Sequence, residues 1–132
     1  MRMSVLIADD DEMMRTLLQG IVGRLFNGDL EVLIACNGAE ALEIAREKTP
    51  DLAILDIRMP KIDGLNVCRA LKAEQHTHGV QVILVSAEAS PDIRREAEDA
   101  GADAFFSKPF KPSALIEASE AALRQGPTHE QE

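Results

Sequence analysis

The sequence predicts an α/β protein in which five parallel strands form a doubly wound sheet covered by helices on both faces. Three observations predict it. Short runs rich in Val, Ile and Leu alternate five times with segments of helical character. The runs are almost continuously apolar rather than alternating, as expected of strands buried on both faces. The intervening segments, roughly 11 to 15 residues each, carry apolar positions at a helical period. Strict β–α alternation of this kind builds a parallel sheet sandwiched by helices.

The strand candidates are Met3–Ala8, Glu31–Cys36, Leu52–Leu55, Val80–Val85 and Ala104–Ser107. Asp11 is placed to cap the first helix, whose apolar positions are Met13, Met14, Leu17, Leu18, Ile21, Val22 and Leu25. Gly20 and Gly23 fall inside that helix, each at a cost of up to ~1 kcal/mol relative to Ala. Asn37-Gly38-Ala39-Glu40 has the form of a capping box opening the second helix, and Pro50 stops it. Ser90 followed by Pro91 starts the fourth helix, and Gly101 ends it. Pro112 and Ser113 open the last helix, which runs toward Leu123.

With 132 residues, the chain has the size of one domain and can bury roughly two-thirds of its unfolded surface. Residues 1–124 are expected to form that domain and 125–132 a polar tail. No apolar run approaches the ~18 residues of a membrane span. The stretch Val5–Ala8 is too short for a secretory signal, so a cytoplasmic protein is expected. Fourteen Lys and Arg against 23 Asp and Glu leave a formal charge of −9, which repels nucleic-acid phosphates and argues against direct DNA or RNA binding. Cys36 and Cys68 sit in apolar runs without a CxxC pattern and read as buried, reduced thiols. His76 and His78 flank a polar turn and read as a solvated loop rather than a metal site.

In an open α/β sheet, ligands bind beyond the carboxyl ends of the strands. The residues standing there are Asp9 and Asp10 after strand 1, Asp56 after strand 3, Ser86 after strand 4 and Lys108 after strand 5. Three carboxylates in one crevice repel unless a cation neutralises them, and a hard divalent ion such as Mg2+ suits oxygen ligands. A fixed ammonium and a hydroxyl on the same rim suit a phosphoryl group in transfer, whose catalysis is mostly positioning and charge neutralisation. A carboxylate then serves as nucleophile.

These residues resemble the receiver domains of two-component response regulators, of the chemotaxis-regulator type. The matching motifs are Leu6-Ile7-Ala8-Asp9-Asp10-Asp11, Leu55-Asp56-Ile57-Arg58-Met59-Pro60 with Asp63-Gly64, Val85-Ser86-Ala87, Ala100-Gly101-Ala102 and Lys108-Pro109-Phe110. The resemblance covers about residues 3 to 124. It implies a flavodoxin-like strand order 2-1-3-4-5. It further implies that Asp56 accepts a phosphoryl group from a histidine kinase or a histidine phosphotransfer protein. Asp10 and Asp56 would be Mg2+ ligands, Arg58 would lend its backbone carbonyl, and Asp9 would reach the metal through water. Ser86 and Lys108 would contact the phosphoryl oxygens, and Phe105 would be the aromatic switch. The Lys108–Pro109 bond would be cis. Phe105 departs from the frequent Tyr by lacking a hydroxyl, and Ser86 stands where Thr is also common.

Such a protein is not an enzyme beyond accepting a phosphoryl group from a donor and losing it again. A donor's docking surface is expected at Met14, Leu17, Pro109 and Phe110, near the site. Arg58 and Glu88, each two residues beyond a site residue, are expected to face each other across its mouth. Two receiver readings stand: one signals alone through protein contacts, the other is a module of a longer regulator with a DNA-binding or enzymatic output domain. A haloacid dehalogenase-type phosphatase is a distant alternative, because Met13 stands where its motif wants Thr or Val and no cap domain fits. Nucleotide binding lacks both GxGxxG and GxxxxGK[ST].

Overall fold

The computed structural model describes residues 2–25 and 29–125. Five strands, β1 (Met3–Ala8), β2 (Leu30–Ala35), β3 (Leu52–Asp56), β4 (Gln81–Ser86) and β5 (Ala104–Ser107), alternate with five helices. The helices are α1 (Glu12–Val22), α2 (Gly38–Lys48), α3 (Gly64–Ala73), α4 (Pro91–Asp99) and α5 (Pro112–Gln125). All strand pairs are parallel, in the order β2-β1-β3-β4-β5.

The sheet divides the interior into two cores, as a period of two along buried strands requires. Leu6, Ala8, Ala53, Leu55, Val82 and Leu84 face α2, α3 and α4. Val5, Ile7, Leu52, Ile54, Ile83 and Val85 face α1 and α5. Every one of these residues is buried, which explains why the strands read as unbroken apolar runs.

The caps foreseen from sequence form. Asp11 accepts from Met13 N, and Ser90 accepts from Ile93 N ahead of Pro91. Asn37 Oδ1 accepts from Glu40 N at 2.8 Å, while the Glu40 carboxylate turns back to Cys36 N. That bond takes Cys36 out of the ladder, so β2 is shifted one residue earlier than expected. Val80 N donates to Thr77 O in a turn, and β4 correspondingly begins at Gln81 and runs through Ser86. Gly101, at φ +92°, occupies the left-handed region after α4 that favours glycine.

Several expectations need correction. Gly23 is the C-cap of α1 rather than part of its interior. The apolar face of α1 is narrower than its composition suggests, because Met13 is 81% exposed and Leu17 47% exposed. Cys36 is exposed, since it lies past the end of β2, whereas Cys68 is buried on α3 with its thiol donating to Ala100 O. The last helix runs two residues beyond Leu123, to Gln125. The tail from Gly126 onward lies outside the described residues. Among the described residues no helix is long and apolar enough to cross a membrane.

Candidate functional site

The residues expected at the strand ends come together on one rim. β1 ends at Ala8, and its ladder reaches one residue further because Asp9 N donates to Ala35 O. β3 delivers Asp56 as its last residue, and Ile57 N donates to Val85 O just beyond it. Lys108 N donates to Ser86 O, which fixes the start of the β5–α5 loop against the end of β4. The Lys108–Pro109 peptide is cis, in agreement with the resemblance.

Asp9 and Asp56 are 1% and 6% exposed, and Ser86 is fully buried, whereas Asp10 is exposed. Carboxylate oxygens of Asp9, Asp10 and Asp56 lie within 4.8 Å of one another. Lys108 Nζ reaches into the cluster, 2.9 Å from Asp56 Oδ1 and 3.2 Å from Asp9 Oδ2. One ammonium against three carboxylates leaves negative charge uncompensated. Burial, with further repulsion from Asp9 and Asp10, pushes the Asp56 carboxyl up to about 6 although Lys108 pulls it down. Burial works against the charge on Lys108 as well, but its bonds to Asp56 and Asp9 outweigh that and hold it above the ordinary lysine value. The donor set is all oxygen, clustered and under-neutralised, and it fits a hard divalent cation.

The turn that carries the acids is closed by its own hydrogen bonds. Asp9 Oδ1 accepts from Asp11 N at 2.9 Å, and Arg15 donates from Nη1 to Asp9 O at 2.7 Å. Sequence reasoning missed Arg15. Its position four residues after the Asp11 cap, with side chains on a helix leaning toward the N-terminus, was the available signal. The β3–α3 loop is pinned equally closely: Gly64 N donates to Ile57 O, and a Cβ at Gly64 would sit 2.3 Å from Asp56 O. Asp63 caps α3 by accepting from Asn66 N.

Around the mouth, Arg58 and Glu88 form an ion pair, as their spacing suggested, and Glu88 N donates to Ser86 Oγ at 3.0 Å. Leu17 and Pro109 are exposed, and Met14 and Phe110 are partly buried. The Phe110 ring packs edge-on against Phe106, with centroids 6.4 Å apart. Phe105 lies on the opposite face of β5, partly buried beside α4.

The family model for the response regulator receiver domain matches residues 5–120. The chain is a receiver domain of the two-component response regulators. Among curated relatives, the transcriptional regulatory protein PrrA of Mycobacterium tuberculosis is 41% identical over 122 residues, covering 92% of this chain and 50% of that protein. The DNA-binding response regulator MtrA of Mycobacterium leprae is 33% identical over 129 residues, covering 95% of this chain and 53% of that protein. The receiver thus spans about half the length of the curated relatives it matches. Among solved structures, a CheY-like receiver domain protein from Methanospirillum hungatei superposes with a TM-score of 0.84 at 29% identity, covering 95% of this chain and 96% of that one. The signal receiver domain of a DNA-binding response regulator from Colwellia psychrerythraea gives 0.86 at 26% identity, covering 93% and 99%. The family, the strand order and the acidic rim agree with one another, and the phosphatase and nucleotide-binding alternatives have no support among these relatives.

Proposed function

We propose that Asp56 accepts a phosphoryl group from a phosphohistidine of a histidine kinase or histidine phosphotransfer protein. The observation that carries this reading is the Lys108 ammonium, seated between the buried carboxylates of Asp56 and Asp9. Asp10, Asp56 and the backbone carbonyl of Arg58 would hold Mg2+, with Asp9 reaching it through water. That ion, when bound, supplies positive charge for the transferring oxygens. An Asp56 oxygen attacks phosphorus, the P–N bond breaks, and the electron pair leaves with the imidazole. Lys108 neutralises charge on the phosphoryl oxygens, and the Ser86 hydroxyl donates to them.

The phosphorylated domain then signals through protein contacts in the cytoplasm. Movement of the Ser86 hydroxyl toward the phosphoryl group opens space that Phe105 fills by turning inward, which reshapes the face made by α4, β5 and α5. Met14, Leu17, Pro109 and Phe110 form the donor's docking surface. The domain itself does not bind nucleic acid, given its −9 charge. A second reading places it within a longer regulator, and the half-length match to regulators named as transcriptional or DNA-binding favours it.

The test uses acetyl phosphate with Mg2+ and the intact mass of the protein. One added phosphoryl group, lost in Asp56→Asn and in the presence of a chelator, is the expected outcome. Unchanged phosphorylation in either control contradicts the assignment.

A further inference from the structure

Phe105 lies on β5 opposite Leu84 of β4, two register pairs before Ser86 and Ser107. Its side chain belongs to the α4 side of the sheet, where it lines a groove with Ala97 and Ala102. Lacking a hydroxyl, the ring cannot be held by a hydrogen bond of its own. What lies over it is a charge: Arg94 Cζ is 4.8 Å from the ring centroid. Arg94 sits in the first turn of α4, where its backbone N–H donates to Ser90 O. The adjacent Arg95 turns instead to Asp92, and no carboxylate stands within ion-pair distance of Arg94 among the described residues. The pair borders an open groove of about 500 Å³ between α4 and β5.

We propose that Arg94 is the positioning residue for Phe105. Its guanidinium, stacked on the ring's electron-rich face, holds the aromatic at the α4–β5 surface of the unphosphorylated chain. The ring must leave this cation to turn inward, so Arg94 opposes the switched state. An exposed contact of this kind is weak, and it biases the equilibrium rather than locking it. Removing the cation therefore raises the inward population about two- to fivefold. By linkage, any phosphoryl mimic that selects the inward state gains the same factor in apparent affinity. The proposal rests on the reading of Asp56 as acceptor and Phe105 as switch.

The experiment follows the Phe105 ring by NMR in protein carrying labelled phenylalanine, which has only four such residues. Signals are assigned with Phe105→Leu, and beryllium fluoride with Mg2+ serves as the phosphoryl mimic. Wild type is measured first. Failure of the mimic to bind overturns the acceptor reading, and binding that leaves the Phe105 ring unmoved overturns the switch reading, each taking this proposal with it. With both in place, Arg94→Met, which keeps an aliphatic stem, is expected to shift the free protein's Phe105 signals toward their mimic-bound positions. It should also tighten mimic binding two- to fivefold, and Arg94→Lys should restore most of the wild-type behaviour. Phe105 signals unmoved in Arg94→Met, or Arg94→Lys behaving like Arg94→Met, overturns the proposal.

Discussion

The Lys108 ammonium donates to Asp56 Oδ1 at 2.9 Å, joining the ends of two strands, β3 and β5, that are separated in the sheet by β4. Both its hydrogen bond and its charge draw the Asp56 carboxyl downward against burial. In Lys108→Met these two influences vanish while burial and the Asp9 and Asp10 charges remain. The Asp56 carboxyl of metal-free protein should then titrate well above 6, by about one pH unit or more. Carbon-13 NMR of the aspartate carboxyls reads this directly. An unchanged midpoint would mean the ammonium does not engage Asp56 in solution.

Stability should depend on the same carboxyl. Asp56 has its folded value raised from 3.8 to about 6, so its charged form is disfavoured by folding. Above pH 6 the folded protein bears this cost in full, and as the pH falls from 6 toward 4 protonation relieves it. Asp56→Asn should therefore stabilise metal-free protein by up to about 3 kcal/mol at pH 7.5. The gain should shrink toward zero near pH 4, and Mg2+ should reduce it by stabilising the wild type. Urea titrations across this range provide the check.

Docking of a donor should be separable from chemistry. Leu17 is 47% exposed on α1, and Met14, one turn earlier, is partly buried at the end near the acids. Met14→Ala and Leu17→Ala should slow transfer from a phosphohistidine protein by about fivefold or more while changing acetyl phosphate rates less than about twofold. Equal slowing of both donors would place the effect in the fold.

The Arg58–Glu88 pair is exposed, with side chains 72% and 45% accessible, and its breakage should change the unfolding free energy by no more than about 1 kcal/mol. Its position over the mouth gives it a different reach. Arg58→Ala and Glu88→Ala should each speed loss of the phosphoryl group by admitting water. Decay followed by intact mass tests this, and rates equal to wild type would remove the pair from the pathway.

Thiol chemistry should distinguish the two cysteines. Burial pushes the Cys68 thiol up to about 11, whereas Cys36 is exposed. At pH 8 one equivalent of an alkylating reagent should enter at Cys36, and Cys68 should react only after unfolding. Peptide mapping before and after urea identifies the sites.

The strand ends were legible because each apolar run stops at a chemical residue: Ala8 gives way to Asp9, Leu55 to Asp56 and Val85 to Ser86. Residues serving one another through backbone atoms were not. Arg15 acts on a main-chain carbonyl, and no periodicity announces that. Gly38 was read as part of a cap, yet a Cβ there would meet Ile62 O at 1.6 Å, because the β3–α3 loop rests on the start of α2. That approach is tertiary and has no local signature. The exposure of Met13 escaped detection for a related reason: an apolar stripe does not state the width of the surface that covers it.

The order of the strands separates two mechanical duties. β1 and β3 each have a hydrogen-bonded neighbour on both sides and carry the carboxylates, while β5 borders the sheet with β4 as its one strand partner. A receptacle that must hold several charges in fixed relation is anchored in the least yielding part of the molecule. Phe105, the aromatic proposed to move, hangs on the margin, where rearrangement breaks the fewest bonds. The link between interior and margin is Lys108, rooted at the end of the border strand with its ammonium among the central carboxylates. On the proposed reading, a disturbance of charge deep inside is thereby passed to a border strand.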